Sequence, residues 1–294
     1  MDEEARRYYE DYVVSSHGIC DKSVVLLLSH KENDPEKKVT SLQTGTIFAS
    51  GEKSCCIMTT SAFTLNSKTH VCEAHFFDKT KTKVEKYIVQ KEFGITIIYA
   101  GDVNMAKVER VTFSDENVGS HERVFTCGYN SNQKGRSFFS GSIVSGVGMK
   151  HKDLKHKNMK HNLTLFVHGC ATGTDGHLGS AVFDETHRLV GMNVKYTKSS
   201  GPNYGSLAEG DEIESDIGGI VYALDLTSIQ LGLASAAQKM STAARDKKLV
   251  GMVNMKEKTI SEIVQFVREN ILEMEAAEAS KAGGSSTKGR AGGG

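Results

Sequence analysis

The sequence predicts an all-β protein of two six-stranded barrels packed side by side, with a helical extension at its C-terminal end. Only two prolines but 29 glycines stand among its 294 residues, and short β-branched runs alternate with turn residues. Runs of this kind, bounded by glycine and polar residues, are typical of strands. They fall into two sets of about six, and a chain of this length can bury two small barrel cores.

The first set of strands predicts a first barrel over residues 17–115. It follows an acidic, amphipathic segment, residues 1–16, that we expect to form an N-terminal helix. The candidate strands of this barrel are SVVLLL (residues 23–28), GTIFAS (45–50), CCIMTT (55–60), HVCEAHFF (70–77), KVEKYIVQ (83–90) and ITIIYA (95–100). Their lengths are ordinary for strands of globular proteins.

The second set predicts a second barrel over residues 116–240, and residues 114–121 join the two. Its candidate strands are RVFTCGY (residues 123–129), GSIVSGVG (141–148), LTLFVH (163–168), SAVFD (180–184), RLVGMNVKYT (188–197) and GGIVYALD (218–225). A short helix over residues 228–240 follows the last strand, and we expect it to close this barrel.

The C-terminal part of the chain changes from strand patterns to a helical pattern. Thr259 and Glu262 have the spacing of a capping box, which predicts a helix within residues 255–277. Apolar residues then recur at helical spacing and form one stripe: Ile260, Ile263, Val264, Val267, Ile271 and Met274. This stripe either docks on the protein's own surface or binds a partner. Residues 278–294 lack large apolar side chains, so we expect a disordered tail.

The balance of charges argues against several classes of partner. Lysine plus arginine equals aspartate plus glutamate, at 36 each, so no overall charge attracts nucleic acid or an anionic membrane. No apolar run approaches the roughly 20 residues of a membrane span, and the first residues lack the order of a secretory signal. We therefore expect an intracellular protein of the cytoplasm or the nucleus.

Cysteines and histidines do not form a recognisable metal site. The six cysteines lack metal-ligand spacing, so we expect thiols that fill the core, and we expect no metal and no cofactor. His151, His156 and His161 lie in the segment KHKDLKHKNMKH (residues 150–161), but a spacing of five fits neither one helix face nor one strand face. This segment is either a solvated loop or a basic patch for a phosphate or an acidic protein surface.

Seven landmarks stand in order along the chain: GTIFAS, CCIMTTSAF, VEKYIVQKEFGITIIYA, RVFTCGY, GSIVSGV, DGHLGSAVFDETHRLVGMNV and GGIVYALDL. In this order and spacing they resemble trypsin-like peptidases of the chymotrypsin fold, most closely the Deg-type and plant trypsin-like branch. The resemblance covers about residues 23–240 and implies two chymotrypsin-like barrels. In that family a serine attacks the carbonyl, a histidine takes its proton, an aspartate orients the histidine, and backbone amides stabilise the oxyanion.

The resemblance also implies where the three catalytic residues should stand, and none of the three is present. Ala62 occupies the place of the histidine, and a methyl group accepts no proton. Gly94 occupies the place of the aspartate, and Leu178 occupies the place of the serine in GHLGSAV. We therefore predict a catalytically inactive trypsin-like serine protease homologue, a pseudoprotease that acts as a protein- or peptide-binding module.

A peptide cleft can persist after the nucleophile is lost. Gly176 and Gly179 would still allow the tight turn of the family's oxyanion loop. Asn193, Val194 and Lys195 resemble the strand that pairs with a substrate backbone, and strand addition of this kind needs only main-chain hydrogen bonds. We expect the protein or peptide ligand in the cleft between the barrels or on the C-terminal helix.

Other interpretations stay open. A divergent active hydrolase would use Ser180, or Cys170 activated by His168, and it requires a base within hydrogen-bond reach. A scaffold would act through its C-terminal helix alone. His177 is expected to face solvent, because its place in the family's loop is a variable, outward one. The acidic segment 209–216 is either a solubilising loop or a border of the cleft that favours basic peptides.

Overall fold

The computed structural model describes residue 18 and residues 22–63, 69–84, 86–129, 136–150, 163–170, 175–196, 221–244 and 255–284. Three of the sequence predictions lie outside these residues, wholly or for the most part. They are the N-terminal helix of residues 1–16, the basic segment 150–161 and the acidic segment 209–216. The two sheets and the two C-terminal helices lie within the described residues.

The first sheet consists of seven antiparallel strands. They are β1 (Val24–Lys31), β2 (Val39–Ser50), β3 (Cys55–Thr60), β4 (His70–His75), β5 (Lys81–Lys83), β6 (Lys86–Gln90) and β7 (Ile95–Ala100). Hydrogen bonding gives the order β5-β4-β1-β2-β3-β7-β6, so the two outer strands, β5 and β6, follow each other directly in the chain. The sheet therefore curls into a half-barrel. The strand predicted over residues 83–90 is in fact two strands, which makes seven and not six.

Both faces of the first sheet are buried, which explains its continuous apolar runs. Along β3, Cys55 and Ile57 point into the curl of the sheet, whereas Cys56 and Met58 point to the opposite face. Successive side chains of a strand alternate between faces, so one run of apolar residues supplies two cores. The second face packs against the second barrel and the C-terminal helices.

The second sheet is a closed six-stranded barrel, as the sequence predicts. Its strands are β8 (Arg123–Tyr129), β9 (Arg136–Lys150), β10 (Thr164–His168), β11 (Ala181–Asp184), β12 (Leu189–Tyr196) and β13 (Val221–Asp225). The order around the barrel is β10-β13-β12-β11-β8-β9. Strand β9 is longer than its sequence pattern indicates, because its first half pairs with β8 and its second half pairs with β10. This change of partner closes the barrel.

Two helices follow the barrels: α1 (Leu226–Ala244) and α2 (Ile260–Gly284). The capping box of α2 is confirmed, because Thr259 N donates to Glu262 Oε2 at 2.8 Å and Glu262 N donates to Thr259 Oγ1 at 3.3 Å. The sequence predicts a helix that ends at residue 277 and a disordered tail from residue 278, but α2 continues to Gly284. Both predictions are wrong for residues 278–284. Alanine-rich sequence continues the helix there, since alanine has the highest helix propensity.

The apolar stripe of α2 docks on the protein itself. Ile263, Val264, Val267 and Ile271 are buried in a core that α2 shares with α1 and the first sheet. Toward the end of the helix, Glu275 accepts hydrogen bonds from the turn between β2 and β3, as described below. No helix in the described parts of the chain is long and apolar enough to span a membrane.

Glu275 clamps α2 to the β2–β3 turn. Its carboxylate accepts hydrogen bonds from Glu52 N at 3.0 Å, from Lys53 N at 2.8 Å and from Ser54 Oγ. A Cβ atom on Gly51 would lie 2.6 Å from Ile271 Cγ2, so this close approach requires glycine. Burial alone would raise the pKa of Glu275, but the hydrogen bond from Ser54 and the two amides lower it overall.

Candidate functional site

The first two triad-equivalent positions lie side by side at one end of the first sheet. Ala62 follows β3 by two residues, and Gly94 immediately precedes β7, the neighbour of β3. Ser61 N donates to Gly94 O at 2.9 Å and fixes their relative position. Gly94 has φ +69°, a left-handed conformation that ends the short 3-10 turn before β7. Neither residue carries a side chain that can accept or hold a proton.

The third position, Leu178, stands in a turn between the barrels that we name the glycine loop, residues 176–180. Thr44 of β2 holds this loop, because its N–H donates to Leu178 O at 3.1 Å and its Oγ1 donates to Gly176 O at 2.6 Å. Leu178 itself is only partly buried. The loop of the second barrel is thus seated directly on the first sheet.

Gly179 is the tightest point of the glycine loop. It has φ +85°, and a Cβ atom there would lie 2.2 Å from Thr59 Oγ1 and 2.3 Å from Thr44 O. No residue with a Cβ atom fits here, because neighbouring atoms must shift when such a contact is shorter than about 3.0 Å. Thr59 precedes Ala62 by three residues, so the end of β3 that leads to Ala62 and the loop that carries Leu178 meet at the junction between the barrels.

Beneath the glycine loop, four polar side chains form what we name the buried polar network: Thr126, His168, Ser180 and Asn193. All four are at most 1% exposed and point into the second barrel. Asn193 Nδ2 donates to Ser180 Oγ at 2.8 Å and to Thr126 Oγ1 at 3.2 Å. Ser180 Oγ donates to His177 O at 2.7 Å, and Thr126 Oγ1 donates to Ala181 O at 2.7 Å. Every polar hydrogen of these three side chains therefore has an acceptor.

His168 completes the network in one protonation state. Cys170 N donates to His168 Nδ1 at 3.3 Å, so that nitrogen carries a lone pair and Nε2 carries the proton. His168 Nε2 then donates to Asn193 Oδ1 at 2.7 Å. Burial lowers the pKa of His168 to about 4, although the hydrogen bond to Asn193 partly opposes that shift. The imidazole is neutral at pH 7.

Cys170 is buried two residues after the end of β10. Burial raises the pKa of its thiol to about 12. Its Sγ lies 3.6 Å from Val124 O, within hydrogen-bond distance for sulfur, while only its backbone N–H contacts His168. A thiol of this kind is not a thiolate at pH 7 and is a poor nucleophile.

His177 is buried, contrary to the expectation that it faces solvent. It is 2% exposed and its ring packs edge-on against Phe139, with 5.1 Å between centroids. The 3-10 turn Asp175–His177 directs the ring toward β8 and β9, where Gly128 leaves room for it: a Cβ on Gly128 would lie 2.7 Å from His177 Nδ1. Neither ring nitrogen has a hydrogen-bond partner in the described part of the chain. Burial lowers the pKa of His177 to about 4.

The residues expected to bind a peptide divide into two groups. Gly176, Gly179 and Asn193 already use main-chain groups inside the protein: Gly179 N donates to Asn193 O at 2.8 Å, and Asn193 N donates to Ser180 O at 2.9 Å. Val194 and Lys195 lie beyond this contact, where β12 pairs with β13 around a bulge at Val194. An added strand would therefore begin at Val194 and not at Asn193.

Sequence reasoning missed the residues that hold the loop from the first sheet. Thr44, Thr59 and Gln43 are buried there, and Gln43 Oε1 accepts from Thr60 Oγ1 at 2.9 Å. Buried polar groups are almost always hydrogen-bonded. The sequence gives no sign that Gln43 and Thr44 are buried, because they stand in the polar first half of β2. Among the described residues, no three histidine, cysteine, aspartate or glutamate side chains are placed to hold a metal ion.

A family model described as a trypsin-like peptidase domain matches residues 24–192, which is more than half of the chain. The chain belongs to the trypsin-like peptidase domain family. The match covers the first sheet and ends within β12, so it includes all three triad-equivalent positions. No curated protein sequence matches this family member significantly.

Solved structures of trypsin-like peptidases share its fold. A serine-to-alanine mutant of Rv3671c from M. tuberculosis H37Rv, described as an inactive form, has a TM-score of 0.53 at 11% identity, covering 82% of this chain and 93% of that one. The active form of the Rv3671c protease gives 0.53 at 14% identity, covering 82% and 87%. The HtrA-type protease AlgW with a tripeptide gives 0.55 at 17% identity, covering 76% and 62%. At these identities the likeness establishes the chymotrypsin-like fold alone.

Proposed function

We propose that this family member is a catalytically inactive trypsin-like protease homologue that binds a protein or peptide in the cleft between its barrels. The proposal rests on one observation: Ala62, Gly94 and Leu178 occupy the triad-equivalent positions. Backbone hydrogen bonds still hold Ser61 beside Gly94 and Leu178 on the first sheet. Serine-protease chemistry needs a nucleophile, a base and a group that orients the base. Three aliphatic or absent side chains supply none of them.

A hydrolase that uses Ser180 is the second candidate, and the contacts of Ser180 argue against it. Its hydroxyl proton goes to the His177 carbonyl, and its oxygen accepts from Asn193. The link to an imidazole runs through the Asn193 amide to His168, so no ring nitrogen takes the serine proton directly. Because Ser180 is 0% exposed, a substrate carbonyl would also have to displace the glycine loop to reach it.

The turn before Leu178 gives further support. Residues Asp175–His177 form a 3-10 turn, in which amides donate to carbonyls three residues back. An oxyanion site needs amides that are free to point at the substrate. The turn therefore suits a loop that shapes a cleft rather than one that stabilises a tetrahedral intermediate.

The first experiment measures whether any residue reacts as a serine nucleophile. A fluorophosphonate probe is applied to the wild type, to Leu178→Ser and to Ser180→Ala, beside the triple variant Ala62→His, Gly94→Asp, Leu178→Ser. We expect no labelling of the first three proteins, because a serine without a base stays unreactive. Labelling of the wild type that disappears in Ser180→Ala would show an active hydrolase and overturn the proposal.

The second experiment measures binding. Peptides selected from a displayed library on the wild-type protein are titrated against Val194→Pro, which removes one backbone donor from β12, and against Val194→Ala, which keeps it. We expect Val194→Pro to lose at least tenfold in affinity while Val194→Ala changes little. Selection of no peptide at all, with the wild type folded, would contradict a cleft that binds peptides.

A further inference from the structure

We propose that the glycine loop is an acid-sensitive gate, in which protonation of His168 and His177 releases residues 176–180 and abolishes peptide binding. This inference rests on the proposed function for its consequence, since the gate borders the proposed cleft. Its structural part, the opening of the loop in acid, stands independently of any ligand. The argument starts from the contacts of the two imidazoles.

Among the residues that the structure describes, none supplies a counter-charge to His177, because burial alone shifts its pKa. Its ring packs against Phe139 of β9 and beside Gly128 of β8, and neither residue is titratable or charged. Both ring nitrogens already lack hydrogen-bond partners when the ring is neutral. Protonation would add a buried, unpaired charge with two unsatisfied N–H groups, which is among the costliest arrangements inside a protein. The charged ring must therefore leave for water, and the loop must move with it.

His168 acts on the same loop through its hydrogen bonds. Its Nδ1 accepts from Cys170 N, so a proton on Nδ1 would set two donors against each other. No charged group contributes to the pKa shift of His168, and the thiol of Cys170, two residues further along the chain, is neutral. From the other nitrogen, hydrogen bonds run through Asn193 and Ser180 to the carbonyl of His177. A change in the hydrogen bonds of His168 therefore also affects those of Asn193 and Ser180.

The glycine loop is able to move as a unit. It contains Gly176 and Gly179, and Gly179 has φ +85°. Glycine adopts backbone conformations that other residues resist, so the backbone can change at both positions. Three main-chain contacts hold it to the rest of the protein: Thr44 N to Leu178 O, Gly179 N to Asn193 O and Asn193 N to Ser180 O. Two of these three involve Asn193, which hydrogen-bonds to His168. Protonation therefore acts on the contacts that keep the loop closed.

The direction of the effect follows from proton linkage. In the closed loop the pKa of each imidazole is about 4, below its ordinary value of 6.5 in water, so the open loop binds protons more readily. The closed state is fully stable above pH 6.5, and its advantage falls as the pH drops from 6.5 toward 4. Between pH 7.5 and pH 5 the opening equilibrium should rise about 30-fold for one imidazole and about 900-fold for both.

Hydrogen exchange of the full chain between pH 7.5 and pH 5 tests the gate without a ligand. The protection factors of the Gly179 and Ser180 amides should fall by roughly three orders of magnitude. Those of β3 and β7 should stay nearly constant, which separates local opening from global unfolding. In His177→Leu the fall should shrink to about 30-fold, because only one titrating ring remains. His121→Asn is the control. It removes an exposed histidine at a position with positive φ, which asparagine tolerates, so this variant should behave as the wild type.

Two outcomes would overturn the gate. One is a glycine loop that keeps its protection at pH 5 while the imidazole carbon shifts of His168 and His177 show both rings protonated. The other is an equal loss of protection in His177→Leu and in the wild type. If His177→Leu does not fold, His168→Gln supplies the same comparison, because a glutamine amide can still donate to Asn193 without titrating. Failure to find a bound peptide would leave these exchange results unaffected and would count against the proposed function alone.

Discussion

The interiors of the two β domains differ in what fills them. The curl of the first sheet is lined by apolar side chains from several strands, among them Val25, Leu27, Ile47, Ile57, Phe76, Ile98 and Val108. The second barrel has an apolar half built around Phe166 and Val182, but its other half holds the buried polar network and lies under His177. The polar interior of the second barrel lies under the glycine loop, whereas the first sheet holds this loop through Thr44 on its other face.

The difference shows how one fold uses two kinds of core. An apolar interior stabilises by burial and packing, and it tolerates changes that conserve volume. A buried network of hydrogen bonds adds little net stability, but it specifies one arrangement and penalises any loss of a partner. The first domain therefore serves as a rigid seat, while the second holds the glycine loop in one shape. Four substitutions test this comparison, from the largest expected effect to the smallest.

The largest effect is expected where the two domains meet. Gly179→Ala places a Cβ against Thr44 O and Thr59 Oγ1 at a backbone position with positive φ, so the free energy of unfolding should fall by about 4 kcal/mol. Urea denaturation followed by circular dichroism measures it. Gly101→Ala is the control, since its nearest contact is an ordinary 3.8 Å to Tyr99, and it should change stability by less than about 0.5 kcal/mol. Equal losses in both variants would show that the junction is not tightly packed.

The apolar interior is tested by a cavity. Ile57 is fully buried and packs so closely on Gly45 that a Cβ there would lie 2.4 Å from Ile57 Cγ2. Ile57→Ala should lower the free energy of unfolding by about 3 kcal/mol, through lost burial and an unfilled cavity. The same change at Ile88, a partly buried residue of β6, should cost less than half as much. Calorimetry of both variants decides the point, and a larger loss at Ile88 would contradict it.

The polar interior is tested by an isosteric change. Asn193→Leu keeps the volume but leaves His168 Nε2–H without an acceptor and removes two donors from Ser180 and Thr126, so we expect a loss of about 2 kcal/mol. The glycine loop should also lose protection in hydrogen exchange at pH 7.5. A variant as stable as the wild type, with an unchanged loop, would show that the network does not hold the loop.

The smallest effect is expected at the helix clamp. Glu275→Gln replaces a carboxylate that accepts three hydrogen bonds with an amide that sets its own donor against one of them, so a loss of about 1 kcal/mol is expected. Glu278→Gln serves as the control, because Glu278 pairs with Lys86 in solvent and such pairs contribute little. Thermal melts at pH 7 compare the two. The pKa of Glu275 is lowered from its ordinary value of 4.5 in the folded protein, so the wild type should lose this advantage as the pH falls below 4.5 and Glu275 becomes protonated.

Strand positions were the part of the fold that pattern reasoning predicted best. The strands at residues 55–60, 95–100 and 123–129 agree with β3, β7 and β8 at both ends, because each is a β-branched or aromatic run between turn residues. The break between β5 and β6 was missed, since the run KVEKYIVQ contains no glycine or proline to mark it. The early part of β2 was missed because it is polar and lies at the barrel junction.

The order of motifs predicts the places of Ala62, Gly94 and Leu178, but it does not predict what surrounds them. The buried state of His177 and the network around Asn193 depend on contacts between residues far apart in the chain, such as Thr126 with Asn193, 67 positions away. Periodicity within one strand carries no information about such pairs. The sequence offers Ser180 as a candidate nucleophile but gives no sign that its hydroxyl donates to His177 O and accepts from Asn193.

The clamp at Glu275 also has a consequence for synthesis of the chain. Glu275 and Ser54 are 221 positions apart, so a ribosome adding about 5 to 20 residues per second needs roughly 10 to 40 s to deliver the partner of the β2–β3 turn. During that interval the outer face of the first sheet, with Phe48 and Met58, lacks the helix that covers it. The nascent first domain therefore exposes this apolar face to solvent until its last helix emerges.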